Sequence, residues 1–269
     1  MYKLIAFDVD NTLLNSQKEI TPHTIEMIKM AAKKGCNVLL CSGRSLAESR
    51  VYYEMIPEMQ FFIGNSGSVI VDMHKKEHIF AHPFDVIAAN CICNEIKDLD
   101  CMITIHAGEE LYINSEHKNS GDYYGVRCYD KLFNDTATWV EDISDIVCKR
   151  EDIYKIDLFF HSQQGKYEGM DRLRKLGLDI YGATSTNLEV VPGSCNKGSA
   201  LLKLCEYLNI PPELSAACGD GGNDIFMIKS AGLGIAMGNS IEELKNEADV
   251  IVSDCDHEGA AEAIEKYIL

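Results

Sequence analysis

The sequence has no long hydrophobic run and little positive charge. No apolar stretch approaches the roughly 18 residues needed to cross a membrane. Only 25 lysines and arginines stand against 42 aspartates and glutamates, and the formal net charge is -17, whereas nucleic-acid binders need a basic surface. The chain also reaches aspartate at residue 8, too early for a secretory signal. We therefore expect a cytoplasmic protein that binds neither membrane nor nucleic acid, and small ligands are favoured.

Patterns that bind zinc through cysteine or histidine are also missing. The eleven cysteines are scattered. Cys91 and Cys93 form a close pair, but no second pair lies at the spacing of a zinc ribbon, and the histidines form no HExxH motif. Scattered cysteines of this kind are typical of reduced, mostly buried thiols. We expect neither a zinc site nor a disulfide framework.

What the chain does have is enough length and apolar content for one large domain or two moderate ones. It contains 269 residues, of which 46% are hydrophobic. The strand-like KLIAFDVD is followed by a helix with Thr21 as N-cap, Pro22 in its first turn and Gly35 at its end. The strand-like segments NVLLCSG and QFFIGNSG come next, each ending in small polar residues. This alternation predicts an α/β fold with a Rossmann-like parallel sheet.

The pattern changes near Phe84. An amphipathic helix is followed by CMITIHAGEELYIN, whose two alternating runs flank a turn and predict a hairpin. A strand at YKIDLFFHS, a helix and a strand at LDIYGAT come after it, and strand-helix alternation then returns. The predicted segments are a first core part at 1–83, an inserted α+β domain at 84–186 and a second core part at 187–269.

Polar residues gather where the predicted core strands end. They are Asp8, Asp10, Ser42, Gly43, Lys197, Asp220, Asn223 and Asp224. Open α/β sheets bind ligands outside the carboxyl ends of their strands, so we expect these residues to share one crevice. Two carboxylates about 4 Å apart repel by about 4 kcal/mol at an effective dielectric of about 20, and therefore a cation must lie among them. Oxygen ligands favour a hard ion, and Mg²⁺ completed by a substrate phosphate fits best.

A carboxylate beside such an ion can attack phosphorus and form an aspartyl-phosphate. We assign this nucleophilic role to Asp8. Asp10 lies two residues on, on the same side of an extended strand, where it could act as general acid and base. The hydroxyl of Ser42, the backbone N–H of Gly43 and the ammonium of Lys197 would hold the phosphoryl oxygens.

The loop CGDGGND supplies the remaining polar groups. Its glycines let the backbone approach an ion closely before a helix begins. Asp220 would bind Mg²⁺ directly, and Asp224 would lie close by or act through water. Asn223 would donate to phosphate or orient a carboxylate.

Four motifs in this order resemble the haloacid dehalogenase superfamily, and specifically its Cof-type phosphatases. They are DVDNT, SGR, NKGSAL and GDGGND, and the resemblance covers the whole core. It implies a Mg²⁺-dependent phosphatase of small phosphorylated metabolites, with a C2-type cap domain inserted in the core to select substrates. It also implies that Asp8, Asp10 through its backbone carbonyl, and Asp220 hold the ion, with Asp224 completing the loop. Asn11 and Thr12 of the first motif join the phosphate-binding residues.

The sequence departs from the family pattern at two places. Asn11 stands where the family usually has glycine, and asparagine tolerates a positive φ while keeping its backbone N–H. The segment GNSGS replaces the commoner Asn-Gly-Ala. We expect catalysis to survive the first change.

Two other functions use a similar set of residues. A phosphomutase or phosphotransferase would pass the phosphoryl group from Asp8 to a sugar hydroxyl, and a receiver module would hold it without turnover. Asp10 and the insert of about 100 residues argue against the receiver. Sugar phosphates, phosphorylated cofactors and nucleotide monophosphates all remain candidate substrates. His106, Tyr123 and Arg127 are candidates for lining the substrate pocket, although a core or exposed position is commoner for each.

Overall fold

The computed structural model describes residues 2–178, 180–182 and 185–269. Residues 179, 183 and 184, which belong to the strand predicted at LDIYGAT, lie outside the described residues. The chain divides into two compact units. The first comprises Met1–Arg44, Ser49–Ala81 and Asn196–Leu269, and the second comprises Ser45–Glu48 and His82–Cys195.

Strands and helices are numbered here in chain order. The strands are β1 (Leu4–Phe7), β2 (Asn37–Cys41), β3 (Phe61–Gly64), β4 (Val69–Asp72), β5 (Glu77–Ala81), β6 (Cys101–Ala107), β7 (Glu110–Asn114), β8 (Ala137–Val140), β9 (Ile153–Phe160), β10 (Ile180–Tyr181), β11 (Asn187–Val190), β12 (Ser215–Gly219), β13 (Leu233–Ala236) and β14 (Val250–Ile251). The helices are α1 (Pro22–Lys33), α2 (Leu46–Met55), α3 (Val86–Ile96), α4 (Asp130–Thr136), α5 (Ser144–Lys149), α6 (Gln163–Arg174), α7 (Lys197–Tyr207), α8 (Ile225–Ser230), α9 (Glu242–Glu247) and α10 (Gly259–Tyr267).

The first unit is built on a mainly parallel sheet with the strand order β14-β13-β12-β1-β2-β3-β4-β5. The six strands from β14 to β3 pair in parallel, and β4 and β5 add an antiparallel edge that the sequence analysis did not identify. All four residues of β1 are completely buried, as expected for a central strand covered on both faces. The predicted α/β class with a parallel-sheet core is confirmed.

Local signals in the sequence account for the helix that joins β1 to β2. The hydroxyl of Thr21 accepts a hydrogen bond from the backbone N–H of Thr24 at 3.1 Å, and Pro22 opens the helix. Gly35 has a φ of +85°, the left-handed conformation that follows many helices. The predicted cap, first turn and end of α1 are all confirmed.

The second unit contains a six-stranded sheet with the order β10-β11-β9-β6-β7-β8. The predicted hairpin is present as the antiparallel pair β6 and β7. Helices α3, α5 and α6 pack on one face through apolar side chains such as Ile92, Val147 and Leu173. The parallel pairing of β8 with β7 was not predicted.

The predicted return to the core at residue 187 is wrong. Asn187–Val190 pairs antiparallel with β9, and the first unit resumes only at Asn196. The physical reason lies in the alternation of β11, in which polar Asn187 and Glu189 alternate with apolar Leu188 and Val190. Such alternation suits a sheet whose two faces differ, whereas a central parallel strand is apolar on both. The first part of the core ends at Ala81 rather than at the predicted residue 83.

Among the described residues, no helix has both the length and the apolar character required to span a membrane.

Candidate active site

Acidic side chains from two adjacent strand ends meet in the first unit. Strands β1 and β12 pair in parallel with Phe7 opposite Cys218, so the residues that follow them emerge at the same edge of the sheet. Asp8, Asp220 and Asp224 each contribute one carboxylate oxygen to a group whose members lie within 4.8 Å of one another. The structure therefore brings together the acids from the two ends of the chain that the sequence analysis had grouped.

A buried lysine joins two of these acids. The ammonium nitrogen of Lys197 lies 2.6 Å from Oδ1 of Asp8 and 2.6 Å from Oδ1 of Asp224, and the lysine is only 1% exposed. Lys197 is the first residue of α7, whose N-cap Asn196 and Ser199 form a reciprocal capping box. This N-cap fixes the residue at which α7 begins and therefore the position from which the side chain of Lys197 extends.

Both oxygens of Asp224 are engaged within the site. While Oδ1 accepts from Lys197, Oδ2 accepts hydrogen bonds at 3.0 Å from the backbone N–H groups of Asp220 and Gly221. Asp224 is completely buried and holds the glycine-rich loop in its turn. Asn223 lies in the same short turn and is partly exposed. This arrangement makes Asp224 an organiser of the loop and of Lys197, and leaves Asp220 the freer ligand.

Burial and repulsion disfavour the ionised form of two of the acids. Burial, together with the charges of Asp224 and Asp220, raises the pKa of Asp8 well above its usual value although Lys197 opposes the shift. Burial and Asp224 raise the pKa of Asp220 to about 6. Burial opposes the charge of Lys197, but Asp224 and Asp8 raise its pKa well above the ordinary value. The site holds more negative charge than one lysine balances.

The donor set fits a hard divalent cation. Its carboxylates are oxygen ligands that converge within 4.8 Å, and two of the three residues, Asp8 and Asp224, are buried while Asp220 is partly exposed. Such ligands suit Mg²⁺, which usually takes one or two carboxylates and keeps its other positions for water and phosphate. A cation would also relieve the repulsion that raises the pKa values of Asp8 and Asp220.

Asp10 points to a different set of partners. Arg44 holds its carboxylate with two hydrogen bonds, from Nε to Oδ2 at 2.9 Å and from Nη2 to Oδ1 at 2.8 Å, and Lys18 adds a third contact at 2.9 Å. Burial opposes ionisation, but Arg44 and Lys18 lower the pKa of Asp10 below its usual value. The side chain of Asp10 is thus outside the group of three converging acids. The sequence analysis gave Arg44 no such role, and its place in the SGR motif was the available signal.

The first motif continues into a tight turn beside these acids. Asn11 has a φ of +57°, the left-handed conformation expected of asparagine in place of glycine. Its carbonyl accepts a hydrogen bond from the side chain of Asn239 at 2.8 Å, a supporting residue that sequence reasoning missed. The hydroxyl of Thr12 donates to Oδ1 of Asp220 at 3.0 Å. Thr12 therefore positions an acid of the site as the structure stands.

The segment GNSGS supports two parts of the site at once. The backbone N–H of Ser66 donates to the carbonyl of Ser42 at 3.0 Å, and that of Asn65 donates to the carbonyl of Arg44 at 2.9 Å. Gly67 has a φ of +99°, and a Cβ there would overlap the carbonyl oxygen of Asn196. This segment therefore holds the turn that carries Ser42 and Gly43 and also contacts the start of α7.

The three residues of the second unit that were candidates for lining the substrate pocket differ in burial. His106 is buried at 2% exposure, with Nε2 lying 2.8 Å from Oδ2 of Asp157. Tyr123 is exposed and donates to Asp100, and Arg127 is exposed beside Asp122. The buried charged neighbours of His106 were not predicted, although charged residues two apart in the apolar strand YKIDLFF were a visible signal.

The fold and the site together place an aspartate cluster at the carboxyl edge of a parallel sheet, and sequence comparison identifies the family to which this arrangement belongs. The sequence model of the haloacid dehalogenase-like hydrolase family matches residues 5–264. The chain is 30% identical over 268 residues to the 5-amino-6-(5-phospho-D-ribitylamino)uracil phosphatase YcsE of Bacillus subtilis, covering 99% of this chain and 96% of that protein. It is 24% identical over 276 residues to the pyridoxal phosphate phosphatase YbhA of Escherichia coli, covering 99% of each.

A solved structure of similar fold comes from Bacteroides thetaiotaomicron. This haloacid dehalogenase-like hydrolase superposes with a TM-score of 0.85 at 28% identity, covering 99% of each chain. The chain belongs to the haloacid dehalogenase-like hydrolases, among the Cof-type phosphatases that its motifs resemble. It is a hydrolase of phosphoric monoesters.

Proposed function

We propose that the protein hydrolyses phosphomonoesters of small metabolites in a Mg²⁺-dependent reaction that passes through an aspartyl-phosphate. The observation that carries the proposal is the convergence of Asp8, Asp220 and Asp224, of which Asp8 and Asp224 also contact the ammonium of Lys197. This arrangement offers a nucleophile, ligands for a cation and a positive group for phosphoryl oxygens within one buried site.

Two steps use the chain's own groups. A carboxylate oxygen of Asp8 attacks phosphorus, the bond from phosphorus to the leaving oxygen breaks, and Asp10 supplies the proton which that oxygen takes up. Water then attacks the same phosphorus, gives a proton to Asp10 and releases phosphate from Asp8. Asp10 must carry a proton when the first step begins, and the proton gained in the second step restores that form; Arg44 orients the carboxyl group for both transfers through its two hydrogen bonds.

The remaining polar groups bind the phosphoryl oxygens and the ion. The phosphate is surrounded by hydroxyl, backbone, amide and ammonium groups. They belong to Ser42, Gly43, Asn11, Asn223, Lys197 and Thr12. The ion would be held by a carboxylate of Asp8, the backbone carbonyl of Asp10 and a carboxylate of Asp220. When bound, Mg²⁺ supplies positive charge that stabilises the phosphoryl oxygens. Asp224 acts through its contacts with the loop and Lys197.

The second unit, His82–Cys195 with Ser45–Glu48, is proposed as the cap that selects substrates. Two relatives of the whole chain are named for small phosphorylated compounds, a phospho-ribitylaminouracil in one case and pyridoxal phosphate in the other. We propose that the substrates here belong to the same broad class of phosphorylated cofactors, their precursors and sugar phosphates. We also propose that the enzyme works in the cytoplasm.

A substrate panel tests this proposal. Purified protein is incubated with phosphorylated metabolites with and without Mg²⁺, and both inorganic phosphate and organic products are measured. We expect Mg²⁺-dependent release of phosphate. An isomerised sugar phosphate without free phosphate would instead indicate a mutase, and a stable phospho-aspartate without turnover would indicate a receiver module.

A further inference from the structure

The loop that follows Asp10 in the first unit turns Lys18 back toward that aspartate. The ammonium nitrogen of Lys18 lies 2.9 Å from Oδ1 of Asp10, eight residues earlier in the chain. The side chain of the lysine is 36% exposed and that of the aspartate 19% exposed. The catalytic steps assign no role to this lysine, although it contacts a residue that they use.

The backbone of Lys18 has an unusual conformation for a lysine. Its φ is +64°, in the left-handed region that glycine and asparagine adopt with less strain. The N–H of Lys18 donates to the carbonyl of Asn15 at 2.9 Å, and the N–H of Asn15 donates to the carbonyl of Glu19 at 3.0 Å. Tight turns with one left-handed residue usually have glycine there. The turn by itself therefore does not account for a lysine at residue 18.

Side chains inside and outside the loop hold this turn in place. Oδ1 of Asn15 accepts a hydrogen bond from the backbone N–H of Glu19 at 2.9 Å. Oδ1 of Asp256, 240 residues away in the sequence but in the same unit, accepts the backbone N–H of Ser16 at 2.8 Å. The side chain of Lys18 thus extends from a turn that is fixed both locally and by a distant segment.

The donors around Asp10 are shared unequally between its two carboxylate oxygens. Oδ1 accepts from Nη2 of Arg44 at 2.8 Å and from the ammonium of Lys18 at 2.9 Å. Oδ2 accepts from Nε of Arg44 at 2.9 Å, the one donor to that oxygen within the described part of the chain. Each carboxylate oxygen has about two positions at which it accepts a hydrogen bond. Both positions are therefore used on Oδ1, and one is left on Oδ2.

We propose that Lys18 is a positioning residue for the proton transfers of Asp10. By occupying Oδ1 together with Arg44, it leaves Oδ2 as the oxygen through which the proton passes. In the first step, Oδ2 gives its proton to the leaving oxygen as the bond from phosphorus to that oxygen breaks. In the second step, the attacking water returns a proton to Oδ2. This inference rests on the proposed function, in which Asp10 is the general acid and base.

A second lysine of the first unit shares the backbone conformation of Lys18. Lys76 has a φ of +58° and lies in the exposed turn between β4 and β5. Of the two lysines, Lys18 is the one that contacts Asp10. Strained backbone that surrounding contacts hold in place is common at functional sites. Lys76 therefore provides a matched control, because substituting it changes the same kind of turn without removing a donor to Asp10.

Substitution by glycine separates the backbone role of Lys18 from that of its ammonium. Lys18→Gly suits the positive φ, so the variant should unfold close to the wild-type Tm while the donor to Asp10 is lost. Lys18→Asn is a second neutral variant that tolerates positive φ. Lys18→Arg keeps a cation, and Lys76→Gly is the control. Circular dichroism and thermal unfolding show that each protein is folded.

Two aryl phosphates of similar shape report on the proton transfer. p-Nitrophenolate departs with little help from an acid, whereas phenolate is a poorer leaving group and depends more on protonation. Since kcat/KM reports the first step, we expect Lys18→Gly and Lys18→Asn to lower it by about ten-fold for phenyl phosphate, but by about three-fold or less for p-nitrophenyl phosphate. Lys18→Arg should recover most of the loss, and Lys76→Gly should keep the wild-type values. A purely structural effect would lower both substrates equally.

The outcomes distinguish this inference from the proposed function. Folded neutral variants with wild-type kcat/KM for phenyl phosphate would overturn the role of Lys18, and so would equal losses on the two substrates. An arginine variant as impaired as the glycine variant would contradict the role of the cation. If the wild type released no phosphate from either substrate in the presence of Mg²⁺, the proposed function itself would be contradicted, and this inference with it.

Discussion

Lys197 and Asp8 lie 189 residues apart in the sequence, yet the ammonium nitrogen of the lysine is 2.6 Å from a carboxylate oxygen of the aspartate. Both side chains are buried, and Asp224 contacts the same ammonium at 2.6 Å. The pair links the end of the central strand β1 to the first turn of α7. Its geometry places the proposed nucleophile beside the positive charge that the transferred phosphoryl group requires.

Replacement of the proposed nucleophile gives the most direct test. Asp8→Asn should reduce Mg²⁺-dependent phosphate release by about 10⁴-fold or more, the scale on which an enzyme loses a nucleophile. The fold should persist, since the amide has nearly the same shape. Phosphate release and circular dichroism are measured together, with the exposed Asp171→Asn on α6 as a matched control. Turnover near the wild-type rate would rule out Asp8 as nucleophile.

Removal of the buried ammonium should affect stability as well as activity. Lys197→Met would leave Asp8 and Asp224 buried without their cation, and breaking a buried ion pair in this way costs about 3–5 kcal/mol. Denaturant unfolding of the Mg²⁺-free protein measures the change. We expect Mg²⁺ to restore part of the lost stability by supplying positive charge. A variant as stable as the wild type would show that the two carboxylates do not depend on Lys197.

Binding of Mg²⁺ should be visible without any turnover. A ligand that binds only the folded state adds about 2.7 kcal/mol when its free concentration is a hundred times Kd, so the Tm of the wild type should rise with added Mg²⁺. Asp220→Asn removes a proposed ligand and should abolish most of this rise, whereas Asp171→Asn should retain it. If the Asp220 variant kept the full rise, the ion would have to bind elsewhere.

Gly67 should be intolerant of a side chain for two separate reasons. Its φ of +99° disfavours any L-residue by about 1–2 kcal/mol, and a Cβ would also overlap the backbone of Asn196. Gly67→Ala should therefore lower both stability and kcat, because the start of α7 must move. The control is Gly35→Ala, where φ is +85° and a Cβ would meet no atom within 4 Å. Equal effects of the two substitutions would show that only backbone conformation matters.

The contact between Arg44 and Asp10 depends on the shape of the guanidinium group. Arg44→Lys keeps the charge but loses the paired hydrogen bonds at 2.9 and 2.8 Å. We expect kcat to fall by about ten-fold, with little change in KM, because Asp10 would be less well oriented. Steady-state kinetics with p-nitrophenyl phosphate measure both constants. A lysine variant with wild-type kcat would show that charge alone suffices.

Much of the site was predictable because its signals are local. The four motifs occupy short loops whose residue types reveal their chemistry, and the conformation of Asn11 follows from asparagine's tolerance of positive φ. Alternation of apolar segments predicted the parallel sheet, and capping residues predicted α1. These features depend on neighbouring residues, so the order of amino acids was sufficient to identify them.

Other features depend on which strands become neighbours. Three such features join segments that are distant in sequence. They are the pairing of β11 with β9, the hydrogen bonds from Arg44 to Asp10, and the contact between His106 and Asp157. Periodicity predicts which face of a strand is buried, but it carries no information on pairing partners or on which buried charges meet. Sequence alone therefore determined the fold class and the chemical groups, whereas tertiary structure decided their partners, because long-range packing places those charges together.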